Sequence, residues 1–124
     1  KWILALDENC GPTLPLVSYK NGRPLVSVPS WAKSSSDIKW NQDYWSIGHM
    51  SKFIPRGSYR VSSSLSSSSN VISETFVNPK TNQLSLLVMN TDHSNTLKIG
   101  VWDGKNYFES SVPAFSTKVF QWSP

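Results

Sequence analysis

Tyr44-Trp-Ser-Ile-Gly-His-Met-Ser-Lys-Phe-Ile-Pro-Arg-Gly57 is the stretch on which the reading of this chain turns. Asn41 or Asp43 ahead of it can cap a helix, and Pro55 stops one because it lacks the amide hydrogen the next turn needs. The spacing predicts a helix over about Tyr44 to Ile54. Tyr44, Ile47 and Ile54, with Ser51 between them, fall on one face, and Trp45 and Phe53 widen that apolar surface. Trp45 is accordingly read as core. His49 follows Gly48 among aromatics, where a histidine serves as a hydrogen-bonded packing residue rather than a ligand or catalyst.

Beyond Gly57 the hydrophobic period changes to two, the period of a half-buried strand. Ser58 to Leu65, Val71 to Val77, Gln83 to Met89, Thr96 to Trp102, Tyr107 to Val112 and Thr117 to Trp122 read as strands. Turn formers separate them: Asn78-Pro79-Lys80-Thr81-Asn82, then Asn90 to Asn95, then Asp103-Gly104. Asp-Gly between two alternating segments is a hairpin signal. Short strands at this spacing predict an antiparallel β-sandwich, with Trp122 in its core. The serine run from Ser62 to Ser69, broken by Leu65, continues a strand in its first half and reads as an exposed loop in its second.

Working back from the helix, Asp37 to Trp40 and Pro24 to Val28 read as short strands joined by a polar loop containing Pro29 and Trp31. Asp7 to Pro15 is turn-rich, and Trp2 to Leu6 is a continuous apolar strand of the kind buried on both faces of a parallel sheet. A free-standing domain rarely starts on such a strand. Further chain is therefore expected ahead of Lys1.

The 124 residues suffice for one domain with a core, and six Trp, four Tyr and five Phe supply large side chains to fill it. Net charge is a mild +4, with Lys and Arg scattered rather than gathered into a stripe, which argues against a nucleic-acid partner. No apolar run approaches the roughly 20 residues of a transmembrane helix. Cys10 is the only cysteine, so no internal disulfide forms; it reads as a small packing residue, with an intermolecular bond left open. No Asn-x-Ser/Thr sequon occurs.

Chemistry is sparse. Retaining glycoside hydrolysis needs two carboxyl groups about 5–5.5 Å apart. Asp7 and Glu8 are adjacent, and neighbours in an extended chain point to opposite faces unless the loop turns between them. Asp37, Asp43, Glu74, Asp92, Asp103 and Glu109 fall on caps, turns and solvent faces. Two distant histidines, one thiol and no calcium-type or phosphate-binding loop give no metal site and no cofactor. No catalytic residue is assigned. Trp31, in a Pro/Ser loop, is the tryptophan best placed to be exposed and to stack on a sugar ring.

The opening stretch closely resembles the junction of glycoside hydrolase family 30, the glucosylceramidase-like enzymes, which reads Tyr-Tyr-x-x-Gly-His-Phe-Ser-Lys-Phe-Ile-x-x-Gly. Trp2-Ile-Leu-Ala-Leu-Asp-Glu-Asn-Cys-Gly-Pro12 resembles that family's eighth barrel strand and following loop. Phe76-Val-Asn-Pro-Lys80, Leu86-Leu-Val-Met-Asn90 and Val119-Phe-Gln-Trp122 resemble its later strands, in family order. The departures are Ile3 for a usual Asn, Cys10 for a Gly, Met50 for a Phe, and a longer connection from Thr13 to Asp43.

The resemblance implies a mostly β chain: an antiparallel β-sandwich with one helix and an N-terminal strand belonging to a (β/α)8 barrel. Residues 1–56 would be the end of the barrel and residues 57–124 the sandwich. It implies a retaining β-glycoside hydrolase whose acid/base and nucleophile Glu both precede Lys1, so this chain lacks them. Its partners would be the remaining catalytic barrel and a carbohydrate or glycolipid; glucosylceramide, β-1,6-glucan and xylan all occur as substrates in the wider group. Trp2 would line the sugar pocket, in a secreted or lysosome-like enzyme. The alternative is a stand-alone, non-enzymatic carbohydrate-binding or structural module of the same ancestry.

Overall fold

The computed structural model describes residues 4–9, 11, 24–66 and 69–124. The chain divides into two compact units, Lys1–Gly48 and His49–Pro124.

In the first unit β1 (Ala5–Leu6) runs parallel to β2 (Val26–Ser27), which runs antiparallel to β3 (Lys39–Trp40). The Val26 and Val28 amides donate to the Leu4 and Leu6 carbonyls at 3.0 and 2.7 Å. Leu6 is buried in this small sheet. The strand expected from Asp37 begins instead at Lys39. Asp37 closes a 3₁₀ turn, Ser35–Asp37, in which its carboxylate accepts from the Lys33 and Ser34 amides at 2.9 and 3.0 Å. Short polar side chains that bond local backbone favour turns over strands. Those amides, Lys33 foremost, hold the Asp37 carboxyl below its usual range.

Helix α1 spans Gln42–Phe53 rather than starting at Tyr44. The Tyr44 amide donates to the Asn41 carbonyl at 3.0 Å, so the first turn closes on Asn41. The Asn41 side-chain amide donates back to the Pro24 carbonyl and Ser27 Oγ at 3.2 and 3.0 Å. Asp43 in the first turn and Lys52 in the last oppose the helix dipole favourably. After Pro55 the chain turns through Gly57 at φ +90°, closed by the Ser58 amide on the Pro55 carbonyl at 3.0 Å. The third position of such a turn needs positive φ, which glycine adopts without strain.

Trp45, expected in the core, is 55% exposed. It meets Tyr44 edge-on at 5.1 Å between ring centroids, and Tyr44 tilts over Trp40 at 4.5 Å. No residue of α1 is buried. Two-residue strands offer too little surface to cover an apolar helix face.

The second unit holds β4 (Tyr59–Val61), β5 (Val71–Val77), β6 (Leu84–Asn90), β7 (Leu97–Trp102), β8 (Tyr107–Val112) and β9 (Thr117–Trp122). Three of these boundaries match the alternating pattern residue for residue, whereas β4 stops at Val61, before the serine run. The strands form an antiparallel sheet ordered β4-β5-β6-β9 and a β7–β8 hairpin. Leu86, Val88 and Val112 form the core between them, with Val71, Leu97, Ile99, Val101, Phe120 and Trp122 packed around it. Phe108 bridges the layers, 5.6 Å from Phe120 and 5.4 Å from Trp122. The hairpin leaves part of the larger sheet uncovered, and a cleft of about 430 Å³ opens beside Ser62–Leu65, Thr75 and Gly100–Asp103.

Asn90 is the polar centre of this layer. It is 1% exposed, its amide donates to the Asn95, Val112 and Pro113 carbonyls at 2.8, 3.1 and 3.1 Å, and its Oδ1 accepts from the Asp92 amide at 3.0 Å. A buried side chain so connected ties the β6–β7 and β8–β9 connections together without leaving an orphan donor. The β8–β9 turn carries Phe115 at φ +47°, costly for a bulky residue. Its amide bonds the Asp92 carbonyl at 2.8 Å and its ring stacks on His93 at 4.2 Å, which hold it there.

On the opposite face of β6, the Ser85 hydroxyl donates to the Phe53 carbonyl at 2.8 Å, and Gln121 Nε2 donates to the same carbonyl at 3.0 Å. The last carbonyls of a helix have no partner within it. Here two sandwich side chains supply one.

Candidate functional site

Loops that follow parallel strands shape the substrate site of a barrel enzyme. In this chain they are Asp7–Gly11, after β1, and the segment from Val28 to Trp31, after β2. Trp2, proposed for the sugar pocket, and Cys10 lie outside the described residues.

The first loop is built by Asp7. Its Oδ1 accepts from the Asn9 and Gly11 amides at 2.8 and 2.6 Å, and its own amide donates to the Gly11 carbonyl at 2.7 Å. A Cβ on Gly11 would stand 2.9 Å from Asp7 Oδ2, so only glycine lets the carboxylate sit this close to the backbone.

Glu8 fastens the first loop to the second. Its Oε2 accepts from the Ser30 amide at 2.7 Å and its Oε1 from the Ser30 hydroxyl. The Ser30 hydroxyl, followed by its amide, holds the Glu8 carboxyl below the usual range. Both neighbouring acids therefore organise loops, Asp7 within its own and Glu8 across to the next.

Trp31 comes next to that fastening and is 63% exposed, as its Pro/Ser setting suggested. The Ala32 amide closes the turn on the Pro29 carbonyl at 2.9 Å. The result is an open indole on a loop held at two points, which can offer an apolar face to a ligand. Sequence reasoning missed Ser30. No local pattern links it to Glu8, because their partnership exists only once β1 and β2 pair.

The remaining polar candidates serve turns. The Asp92 carboxyl accepts from the Ser94 and Asn95 amides at 2.8 and 3.0 Å and lies below its usual range, the Ser94 amide being the largest cause. Its neighbour His93 stacks on Phe115. His49 is half-buried. Among the described residues no group of three or more His, Cys, Asp or Glu is placed to hold a metal. No helix among them is long and apolar enough to cross a membrane.

Residues 57–118 match the family model of the Glycosyl hydrolase family 30 beta sandwich domain. No curated protein matches the sequence. Among solved structures, the chain is similar to one described as the endo-beta1,6-glucanase BT3312, at 24% identity and a TM-score of 0.81 over 99% of this chain and 26% of that one. It is also similar to SrfJ from Salmonella typhimurium, at 21% identity and a TM-score of 0.77 over 98% of this chain and 25% of that one. The chain thus spans about a quarter of the length of these proteins, with which it shares a fold.

Proposed function

Since the chain belongs to glycoside hydrolase family 30, we propose that it is the C-terminal part of a retaining β-glycoside hydrolase. In this reading residues 1–56 end a (β/α)8 barrel, residues 57–124 form the sandwich that buttresses it, and the catalytic Glu pair lies elsewhere in the enzyme. Trp2 and Trp31 contact the sugar. The substrate is a β-linked glycan or glycolipid, met in a secreted or lysosome-like compartment.

One observation carries the barrel assignment. β1 and β2 pair in parallel, yet Leu4, Val28, Trp40, Tyr44, Trp45, Ile47 and Met50 around them and on α1 are exposed. Parallel strands occur with both faces covered, and exposed apolar side chains in this number are what an interface needs. A further barrel wall is the occupant that would use it. The engagement of Asp7 and Glu8 in loop hydrogen bonds supports placing the catalytic carboxylates outside this chain.

The test is to isolate the natural protein containing this sequence, hydrolyse aryl β-glycosides, and label the nucleophile with a fluorinated, mechanism-based glycoside. Retention at the anomeric carbon and a labelled Glu outside residues 1–124 are expected. A label within these residues, or turnover by the 124-residue chain alone, would sink the reading.

A further inference from the structure

The solvent face of the β7–β8 hairpin carries an arrangement that the catalytic reading does not use. Register pairs Trp102 with Tyr107, Gly100 with Glu109 and Lys98 with Ser111. These six residues are exposed, while Ile99, Val101 and Phe108 turn toward the sandwich core. Trp102 is 72% exposed and Tyr107 62%. Large aromatic rings left in water on a regular strand are costly unless something covers them part of the time.

Tyr107 is also fixed in place. Its hydroxyl donates to Glu109 Oε1 at 2.7 Å. A Cβ on Gly100 would come within 2.5 Å of that hydroxyl oxygen and 3.0 Å of ring Cε2. The ring therefore lies down across the Gly100 backbone, diagonally over the ribbon, with Glu109 holding its tip. The same bond raises the Tyr107 pKa, since it is made by the protonated phenol. An exposed ring held in one orientation has already lost the rotamer freedom that binding would otherwise cost.

The chemistry of the patch selects its occupant. Lys98, Gly100, Trp102, Tyr107, Glu109 and Ser111 include no aliphatic side chain, so the face is not an apolar docking surface of the usual kind. A dry protein interface over it would strand the Lys98 and Glu109 charges. A pyranose chain fits both requirements. Its axial C–H groups carry partial positive charge and meet the negative faces of the rings, while its hydroxyls reach the carboxylate, the ammonium and water.

We propose that Trp102 and Tyr107, with Glu109 as hydrogen-bonding partner, form a carbohydrate-binding platform for a β-linked polysaccharide chain. The platform lets the sandwich hold polymer on its own residues. It stands on the hairpin geometry and does not require the retaining mechanism or the location of the catalytic pair.

Affinity electrophoresis of the full chain through gels containing laminarin, mixed-linkage β-glucan or xylan tests it. Retardation by at least one polymer is expected. Trp102→Ala and Tyr107→Ala should each weaken binding about tenfold, and Gly100→Ala, which displaces the ring, should weaken it by a smaller factor. Circular dichroism and the thermal midpoint of each variant show whether the sandwich is intact, and Tyr59→Ala, at an exposed aromatic on β4, serves as a control outside the platform. Three results overturn the proposal: no retardation by any polymer, retardation that folded Trp102→Ala and Tyr107→Ala variants retain, or a dimer in sedimentation that Trp102→Ala dissolves, which would assign the face to a second copy.

Discussion

The two units of this chain use large apolar residues in opposite ways. In His49–Pro124, six- and seven-residue strands with period-two patterning turn Leu86, Val88 and Val112 inward and close a core around them. In Lys1–Gly48, strands of two residues leave Trp31, Trp40, Tyr44 and Trp45 open to solvent. The difference is one of supply. A strand pair long enough to present several alternate side chains can bury them against another layer, whereas a two-residue pair cannot. Sandwich residues should therefore govern the stability of the isolated chain, and residues of the first unit should scarcely affect it.

The largest test of that contrast is Asn90→Ala. It removes the partner of the Asn95, Val112 and Pro113 carbonyls and of the Asp92 amide, the Val112 bond buried and the other three part-buried. Loss of about 3 kcal/mol in urea unfolding is expected. Val112→Ala comes next, at about 2 kcal/mol, from two lost methyl groups plus the cavity they leave at a fully buried position. Losses below about 0.5 kcal/mol for both would show that the sandwich does not unfold as one cooperative unit.

Ser85→Ala should cost about 1 kcal/mol, because the Phe53 carbonyl keeps only Gln121 as a donor. Amide exchange at Phe53 and Ile54 should quicken in the same variant. Asp103 provides a pH signature within the hairpin turn. Its carboxyl accepts from the Asn106 and Lys105 amides at 2.7 and 3.0 Å and from the Trp122 indole at 2.8 Å, and these bonds, the Asn106 amide foremost, hold its pKa well below the usual carboxylate range. A depressed folded pKa adds stability above the unfolded value of about 4 and loses it as pH falls further. The midpoint gap between the native chain and Asp103→Asn should thus be widest near neutral pH and narrow below about pH 4. A gap that widens in acid would reverse that assignment.

The sandwich was legible in the sequence because its signals are local. Period two, the Asn78–Asn82 turn and Asp103-Gly104 each decide structure within a few residues, and β5, β8 and β9 followed them. The helix was legible too, within a residue or two at each end. Trp45 was misplaced because an apolar face says that something covers a helix and not whether the cover belongs to the same chain. Ser30 was invisible for a different reason: its role depends on a carboxylate at Glu8, brought near by strand pairing. The Trp102–Tyr107 pair was derivable from the hairpin register, but its fixation over Gly100 depends on three-dimensional contact.

The smallest effect on stability is also the sharpest test of the division between units. Trp31→Ala should change the unfolding free energy of the isolated chain by no more than about 0.5 kcal/mol, since an exposed loop indole has little packing to lose. In the hydrolase proposed above, with Trp31 as a sugar contact, the same substitution should matter. Loss of one stacking contact to a bound sugar should raise KM about threefold to tenfold with kcat little changed, the pattern of binding that is uniform between ground and transition states. Steady-state kinetics on a β-glycan substrate and urea titration of the chain give the two numbers independently. A destabilised chain with unaltered KM would make Trp31 a packing residue and return the loop after β2 to a structural role.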